Sequence, residues 1–231
     1  MLAFRPATWL EGSGSHVSLL SHDERQLSLD LRGGYAAGAP RRRRRTGEPP
    51  PGQRAFFALM PDEGDRRRIA VSIHRLCDTA GVFNGRRPDE IWHISLAGIM
   101  AADSIPDSLF EQAGELARAV TMPAFDVAFD RVTTFGAGKG GGPQPIVLLG
   151  QDGVTGVRLL QQQIVDALLG GKEPRSARTF EPHMTLAYSR TTVVEKLIKP
   201  VRWRATSLIL IQSFVGQTRY SVRGRWPLRG A

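Results

Sequence analysis

Two stretches of this 231-residue chain decide its fold, His93-Ile94-Ser95-Leu96-Ala97 and His183-Met184-Thr185-Leu186-Ala187. Both read histidine, apolar residue, hydroxyl residue, leucine, alanine, and they lie 90 residues apart. Side chains alternate between the two faces of a β-strand, so the histidine and the hydroxyl residue point the same way, about 6.6 Å apart along the strand. The apolar residues next to them face the core. Each stretch therefore predicts a strand that presents an imidazole and a hydroxyl on one surface.

The elements around these two strands predict a mixed architecture. In the first half, hydrophobic periodicity predicts an apolar strand at 54–60, an amphipathic helix over 69–80, the first motif strand at 91–99 and a helix at 106–120. In the second half it predicts strands at 125–130 and 146–149, a helix at 157–168, the second motif strand at 180–188, a short helix around 192–198, and strands near 204–212 and 218–223. Strands and helices mix without a strict βαβ order, so we predict an α+β fold of largely antiparallel sheets.

The first 53 residues differ in composition from the rest of the chain. They contain five consecutive arginines, Arg41 to Arg45, followed by the proline-rich stretch 47–52. Like charges repel each other along such a run, and prolines favour extended, unpaired backbone. We therefore predict that 1–53 is a disordered basic tail and Pro-rich linker, and that 54–231 is the folded domain. The arginine run has the composition of a nucleic-acid contact, but a solvated linker is the favoured interpretation.

Composition limits the classes of protein that remain. The formal net charge is +9, of which residues 1–53 carry +3, and this charge attracts anions without indicating a reaction. The chain has no run of 18 apolar residues and no secretory pattern near its start, so no membrane partner is expected. The single cysteine, Cys77, excludes an internal disulfide framework and most thiolate metal sites. Together these features predict a cytoplasmic protein.

Two imidazole–hydroxyl pairs suit the hydrolysis of a phosphodiester. The reaction needs a base that deprotonates water and an acid that protonates the leaving oxygen, and histidine takes either role because its ordinary pKa is about 6.5. Hydroxyls donate hydrogen bonds to the non-bridging phosphoryl oxygens, where negative charge has to be stabilised. We therefore predict His93 and His183 as catalytic residues, and Ser95 and Thr185 as the residues that bind phosphate.

The pairing of the motifs carries this prediction, because one motif alone has little weight. His16-Val17-Ser18 shows the same spacing inside the predicted tail. The two later motifs differ from it because each lies in an apolar strand-like run, at the same place in one half of the domain. The glycine-rich stretch 136–141 is a weaker candidate for a phosphate-binding site. Gly142-Pro143 follows it where a phosphate-binding loop needs a helix, so it predicts a hairpin loop instead.

The two motifs resemble those of the two-histidine (2H) phosphoesterases, specifically the bacterial RNA 2′,3′-cyclic phosphodiesterases, also called 2′-5′ RNA ligases. The resemblance spans about residues 54–231 and includes the strand at 54–59, the leader 88–92 before His93 and the leader 180–182 before His183. It implies a bilobal α+β fold, with two antiparallel sheets in a pseudo-twofold arrangement around a central cleft and helices outside. It also implies that the two histidines form the acid–base pair, with no metal and no cofactor.

The chain departs from the family pattern at three positions. The family often has threonine where Ser95 stands, a change that the chemistry tolerates. The family often has an aromatic residue where Gly98 stands, and commonly an arginine five residues after the second histidine, where this chain has Tyr188. Arg190 lies close by, but strict alternation places it on the opposite face from His183, so a bulge or a strand end is needed to bring it round. The candidates for further substrate contacts are Arg54, Tyr188 and Arg190.

The resemblance implies a substrate as well as a chemistry. It implies hydrolysis of the terminal 2′,3′-cyclic phosphate of RNA to a 2′-phosphomonoester, with RNA or nucleotide ends as partners, in a protein that we expect to be a monomer. Three alternatives stay open: 2′-5′ RNA ligation, phosphodiesterase activity on another small cyclic phosphate or 2′-5′ linkage, and non-catalytic binding of RNA or nucleotides. The sequence does not indicate which histidine activates water.

Overall fold

The computed structural model describes residues 52–82, 84–136, 142–170 and 180–230. The described strands are β1 Gln53–Leu59, β2 Ile94–Ala102, β3 Phe125–Thr134, β4 Gln144–Leu149, β5 His183–Ser189, β6 Lys196–Ala205, β7 Ser207–Phe214 and β8 Arg219–Pro227. The described α-helices are α1 Glu63–Thr79, α2 Asp107–Ala119 and α3 Thr155–Leu169. The predicted disordered tail lies outside the described residues, apart from Gly52 and Gln53.

The strands form two antiparallel sheets of four. The order of strands is β2-β1-β7-β8 in one sheet, called sheet A here, and β5-β4-β3-β6 in the other, called sheet B. The two motif strands, β2 and β5, therefore occupy equivalent outer positions, and they contact each other where the sheets meet. This arrangement confirms the predicted α+β fold with two antiparallel sheets in pseudo-twofold relation.

The helices pack on one face of the sheets and leave the other face for the site. The buried residues Ile73 of α1 and Leu160 of α3 share a core cluster with Phe57 of β1. The alternate residue of β1, Phe56, belongs to a second, smaller cluster on the opposite face of sheet A, with Ile211. A fully buried side chain of this size contributes roughly 1.5–3 kcal/mol. The main core thus holds the motif strands firmly, while the second face remains available for chemistry.

The helix predicted around 192–198 is wrong. Residues 196–205 form β6, which pairs with β3 as the outer strand of sheet B. The segment carries the β-branched residues Val193, Val194 and Ile198, which favour strands, and Pro200 prevents helix continuation. An outer strand tolerates a proline because only one of its sides needs a complete set of hydrogen bonds. Pairing with β3 therefore prevailed over a short and weak helical pattern.

Gly52 and Gln53, the last two residues of the predicted tail, form hydrogen bonds with distant segments. The amide of Val215 donates to the carbonyl of Gly52 over 3.0 Å, and the side-chain oxygen of Gln53 accepts hydrogen bonds from the Ile105 amide and the Gln212 side chain. Both residues are thus fixed by distant parts of the chain. Elsewhere, β3 and β4 form the predicted antiparallel hairpin, although residues 137–141 of its glycine-rich loop lie outside the described residues. In the described parts of the chain, no helix is both long and apolar enough to cross a membrane.

Candidate active site

The two motif histidines have the same local hydrogen bond. His93 directly precedes β2, and its Nδ1 lies 2.8 Å from the carbonyl oxygen of Ile91. His183 begins β5, and its Nδ1 lies 2.9 Å from the carbonyl oxygen of Glu181. A carbonyl oxygen only accepts, so in both rings Nδ1 carries the hydrogen and donates it. The neutral ring then has its lone pair on Nε2, which is the nitrogen left for a substrate.

Aromatic rings fix the orientation of each imidazole. The ring of Phe56 on β1 lies 5.3 Å from that of His93, and the ring of Phe135, directly after β3, lies 4.8 Å from that of His183. The ring of Tyr220 on β8 lies 5.3 Å from His93 on another side, in an edge-to-face arrangement. Such contacts restrict rotation of the imidazole, so the direction of each Nε2 is set before any ligand arrives.

The hydroxyl residues lie where the motif pattern places them. Ser95 and Thr185 are half-buried at equivalent positions of β2 and β5. The apolar residues next to them in the strands are almost completely buried in the core: Ile94, Leu96, Met184 and Leu186. Alternation thus holds from each histidine to its hydroxyl. The face of each sheet that carries its motif histidine and hydroxyl is called the site face below.

Alternation is then interrupted at the same place in both motif strands. In β2, Ser95 stands opposite Ala58 and Ala97 stands opposite Phe57, so Leu96 is an extra residue. In β5 the same shift occurs between Thr185 and Ala187, which pair with consecutive residues of β4. Each motif strand therefore has a β-bulge at its leucine. The signal in the sequence is the Leu-Ala pair itself, because two successive buried residues do not fit strict alternation.

The bulges change which later residues reach the site face. Once the phase has shifted, the residue five positions after each histidine, Gly98 or Tyr188, returns to the site face. The bulge that is needed to bring Arg190 round to the phase of His183 is therefore present in β5. Arg190 shares the phase of Tyr188, but it lies one residue beyond the end of β5 and is exposed. Arg54 is half-buried on β1 and alternates in phase with Phe56, which places it on the site face of sheet A.

An arginine that the sequence did not single out lies between the two motifs. The segment 85–87 pairs with β5, since the Arg87 amide donates to Leu186 and the Tyr188 amide donates to Gly85, both over 2.8 Å. The Nη2 of Arg87 donates to the Tyr220 hydroxyl over 2.7 Å. Its guanidinium carbon lies 5.6 Å from the centre of the Tyr188 ring. In a chain with 31 basic residues, nothing in the sequence distinguishes this arginine from its neighbours.

Both imidazoles are held neutral at pH 7. Burial is the main reason that the pKa of His93 is lowered from 6.5 to about 4, and the charges of Arg87 and His183 act in the same direction, against the opposing effect of the bond to Ile91. Burial also lowers the pKa of His183, against the opposing effect of its bond to Glu181. The two rings belong to neighbouring ends of the fold, since β2 and β5 contact each other and the charge of His183 lowers the pKa of His93. An anion between them offsets these effects and favours protonation of one ring.

Among the described residues, the thiol and the carboxylates form no second site of this kind. Cys77 is buried, and burial raises the pKa of its thiol, which disfavours the reactive thiolate. Across the described residues, no three or more histidine, cysteine, aspartate or glutamate side chains are grouped to hold a metal ion.

Comparison with known proteins identifies the fold and the family of the chain. Among solved structures, a protein described as a phosphoesterase has a TM-score of 0.59 and 22% identity, with 77% of this chain and 99% of that chain covered. Escherichia coli LigT in complex with 3′-AMP has a TM-score of 0.58 and 22% identity, with 78% of this chain and 99% of LigT covered. TT0787 of Thermus thermophilus has a TM-score of 0.57 and 21% identity, with 77% of this chain and 98% of TT0787 covered. These likenesses establish the fold.

No functionally curated protein matches the sequence. The family model of the 2′-5′ RNA ligase superfamily matches residues 66–214, well over half of the chain. With the two matched histidine motifs, this shows that the chain belongs to the 2′-5′ RNA ligase superfamily of 2H phosphoesterases.

Proposed function

We propose that the protein hydrolyses the 2′,3′-cyclic phosphate at the end of an RNA to a 2′-phosphomonoester, without a metal, by acid–base catalysis. His93 and His183 are the acid–base pair, and Ser95 and Thr185 hold the phosphate. One observation carries the proposal: both imidazoles donate through Nδ1 to a backbone carbonyl two residues earlier, which leaves both Nε2 atoms for the reaction. A structural histidine has no need of such a matched partner.

The proposed reaction uses each Nε2 once. One neutral imidazole removes a proton from water as the water oxygen attacks phosphorus. The bond between phosphorus and the 3′ oxygen breaks, and the other imidazole, in its protonated form, gives a proton to that oxygen. The products are a 2′-phosphomonoester and a free 3′ hydroxyl, and the two histidines have exchanged protonation states. General acid–base assistance of this kind contributes roughly 10²- to 10⁴-fold.

The lowered pKa values of the two histidines suit this division of roles. In the free protein both rings are neutral at pH 7, so a base is always available. The phosphodiester of the substrate carries one negative charge, and its approach raises the pKa of both rings because it stabilises the imidazolium. Their mutual repulsion disfavours double protonation, so binding of the substrate favours one acid and one base.

The net charge and the similarity to known proteins support the proposed substrate. Residues 54–231 carry +6 of the formal net charge of +9, which favours delivery of an anion and predicts weaker binding at high salt. LigT, which shares the fold, has been crystallised with 3′-AMP, a nucleotide with a terminal phosphate. The superfamily is named for an activity on RNA. These observations favour a nucleotide end over a small cyclic phosphate of another kind.

The test is hydrolysis of an oligonucleotide with a 2′,3′-cyclic phosphate, in EDTA, with identification of the product by ³¹P NMR. His93→Ala and His183→Ala should each abolish turnover, since the reaction needs both an acid and a base. His74→Ala is the matched control, because it removes an exposed imidazole that is bonded to Asp89 and belongs to neither motif. Full activity in either motif variant would refute the mechanism, and a 3′-phosphate product would refute the assigned leaving oxygen.

Ligation is the second candidate, and the name of the superfamily favours it. A 5′ hydroxyl in the place of water would use the same two imidazoles and form a 2′-5′ linkage. Equimolar RNA ends, one with a cyclic phosphate and one with a 5′ hydroxyl, distinguish the two reactions by the length of the product. Binding of these ends without turnover in either assay would instead indicate a non-catalytic RNA or nucleotide binder.

A further inference from the structure

Arg87 is fixed beside the motif histidines by contacts with both halves of the fold. Its backbone amide donates to Leu186 in β5 of sheet B, and its Nη2 donates to the hydroxyl of Tyr220 in β8 of sheet A. Its guanidinium carbon lies 5.6 Å from the centre of the Tyr188 ring and 5.8 Å from that of Tyr220. Tyr220 in turn packs edge-on against His93. The guanidinium is therefore held between β5 and β8, against the tyrosine ring that packs on His93.

Among the described residues, no carboxylate lies within ion-pair distance of Arg87, in contrast to three other partly buried arginines. Arg86 pairs with Asp78, Arg131 with Glu195 and Arg158 with Glu181. Within the described residues, the one polar partner of the Arg87 side chain is the neutral Tyr220 hydroxyl. Its Nε is buried from solvent and has no hydrogen-bond partner among these residues. A buried donor without an acceptor is unfavourable, so the site is better satisfied when a ligand supplies one.

We infer that Arg87 binds the substrate phosphate, with Tyr188 and Tyr220 holding the guanidinium in place. A guanidinium offers a planar set of N–H donors that matches two phosphate oxygens. The position five residues after His183 carries Tyr188, which has no charge, so Arg87 supplies from a different segment the positive charge next to the phosphate. The inference deepens the proposed function and rests on it for the identity of the ligand.

Affinity for inorganic phosphate tests the inference without any turnover. We expect Arg87→Gln to weaken phosphate binding by about 10- to 100-fold in isothermal titration calorimetry at fixed ionic strength, because charged hydrogen bonds are lost. Arg118→Gln is the matched control, since it removes one positive charge from an exposed pair with Glu115 on α2. Arg87→Lys should give an intermediate affinity, because lysine keeps the charge and loses the planar pair of donors.

The pH dependence of kcat/KM provides a second readout, which reports on the charge of Arg87 near His93. The charge of Arg87 lowers the pKa of His93, so its removal should raise that pKa. The acid limb of the pH profile of kcat/KM should then move to higher pH in Arg87→Gln, and should stay in place in Arg118→Gln. Tyr220→Phe should show a smaller loss of phosphate affinity, about 2- to 10-fold, because only the positioning hydroxyl is removed.

The outcomes separate this inference from the proposed function. Wild-type affinity for phosphate in Arg87→Gln, an equal loss in Arg118→Gln, or no phosphate binding by the wild-type protein would each overturn the role of Arg87. Phosphate binding that depends on Arg87, together with no hydrolysis of any cyclic phosphate, would refute the proposed function and leave Arg87 as an anion-binding residue. If Arg87→Gln fails to fold, the ¹⁵N resonance of Arg87 Nε in the wild-type protein decides, since it should shift on titration with phosphate. A resonance that does not shift overturns the inference.

Discussion

Gly85 connects the segment before the first motif to the strand of the second, and its replacement tests the architecture of the site. Its φ is +74°, and a Cβ built on it would lie 2.0 Å from the carbonyl oxygen of Tyr188. Gly81 provides a matched control four residues earlier, with a φ of +70° and no atom within 4 Å of its Cβ position. The two glycines thus share the backbone strain that a side chain would add, and they differ in the steric contact.

The expected losses of stability follow from this difference. A side chain in the left-handed region costs roughly 1–2 kcal/mol, so Gly81→Ala should destabilise the protein by about 1 kcal/mol. Gly85→Ala adds an overlap that only a shift of the backbone by about 1 Å relieves, since a Cβ contact below 3.0 Å is not sustained. The shift strains the two hydrogen bonds that join 85–87 to β5, each worth about 1 kcal/mol net. The total for Gly85→Ala is therefore about 3 kcal/mol.

Equilibrium unfolding in urea measures both values, with unchanged m-values as the check that the folded states remain comparable. Loss of kcat/KM on a cyclic phosphate should accompany Gly85→Ala and not Gly81→Ala, because only the former displaces Arg87. A typical domain has 5–15 kcal/mol of stability, so Gly85→Ala should remain folded. Equal destabilisation of the two variants would refute the reasoning, because it would mean that the close approach to Tyr188 has no energetic consequence.

Two further predictions concern the motif residues. Burial lowers the pKa of His93 to about 4, below the 6.5 of an unfolded chain, so the unfolded state binds more protons between these pH values and stability should fall by up to about 3 kcal/mol from pH 6.5 to 4. Urea unfolding across this range measures how the free energy of unfolding depends on pH, and His93→Gln should lose less stability than wild type. If His93→Gln loses as much stability as a His74→Gln control, the pH dependence does not come from His93. Thr185→Val should lower kcat for a cyclic phosphate by roughly 10²- to 10³-fold while Thr185→Ser retains most activity. Equal activity of the Val and Ser variants would show that the hydroxyl does not bind the phosphate.

Sequence patterns predicted most of the helices and strands, because these patterns depend only on residues that are close together in the chain. The helix stripe that contains Ile69 and Ile73 and the alternation from His93 to Leu96 require only neighbouring residues, and both are observed. The pattern around 192–198 was too short to outweigh pairing with β3, a partner that lies about 65 residues earlier in the sequence. Short segments with mixed signals take the structure that their tertiary partners offer.

The bulges are a feature of the site that depends on how the strands pair, and the local sequence alone does not determine them. The Leu96-Ala97 and Leu186-Ala187 pairs hint at a change of phase, since both residues of each pair are apolar. Two adjacent apolar residues are nevertheless also compatible with a strand buried on both faces. Only the pairing of each motif strand with its neighbour decides that an extra residue is accommodated there. The position of Tyr188 on the site face follows from that pairing.

The sequence by itself determined the chemistry that the protein carries: two strands, each with an imidazole and a hydroxyl on one face, because side chains alternate with a period of two wherever a strand forms. Only the tertiary structure decided how that chemistry is arranged. It gave each imidazole a carbonyl partner for Nδ1, and it brought Arg87 to a tyrosine 133 residues away in the sequence. Such contacts depend on which segments lie side by side in the folded chain, and the packing of the whole core determines that.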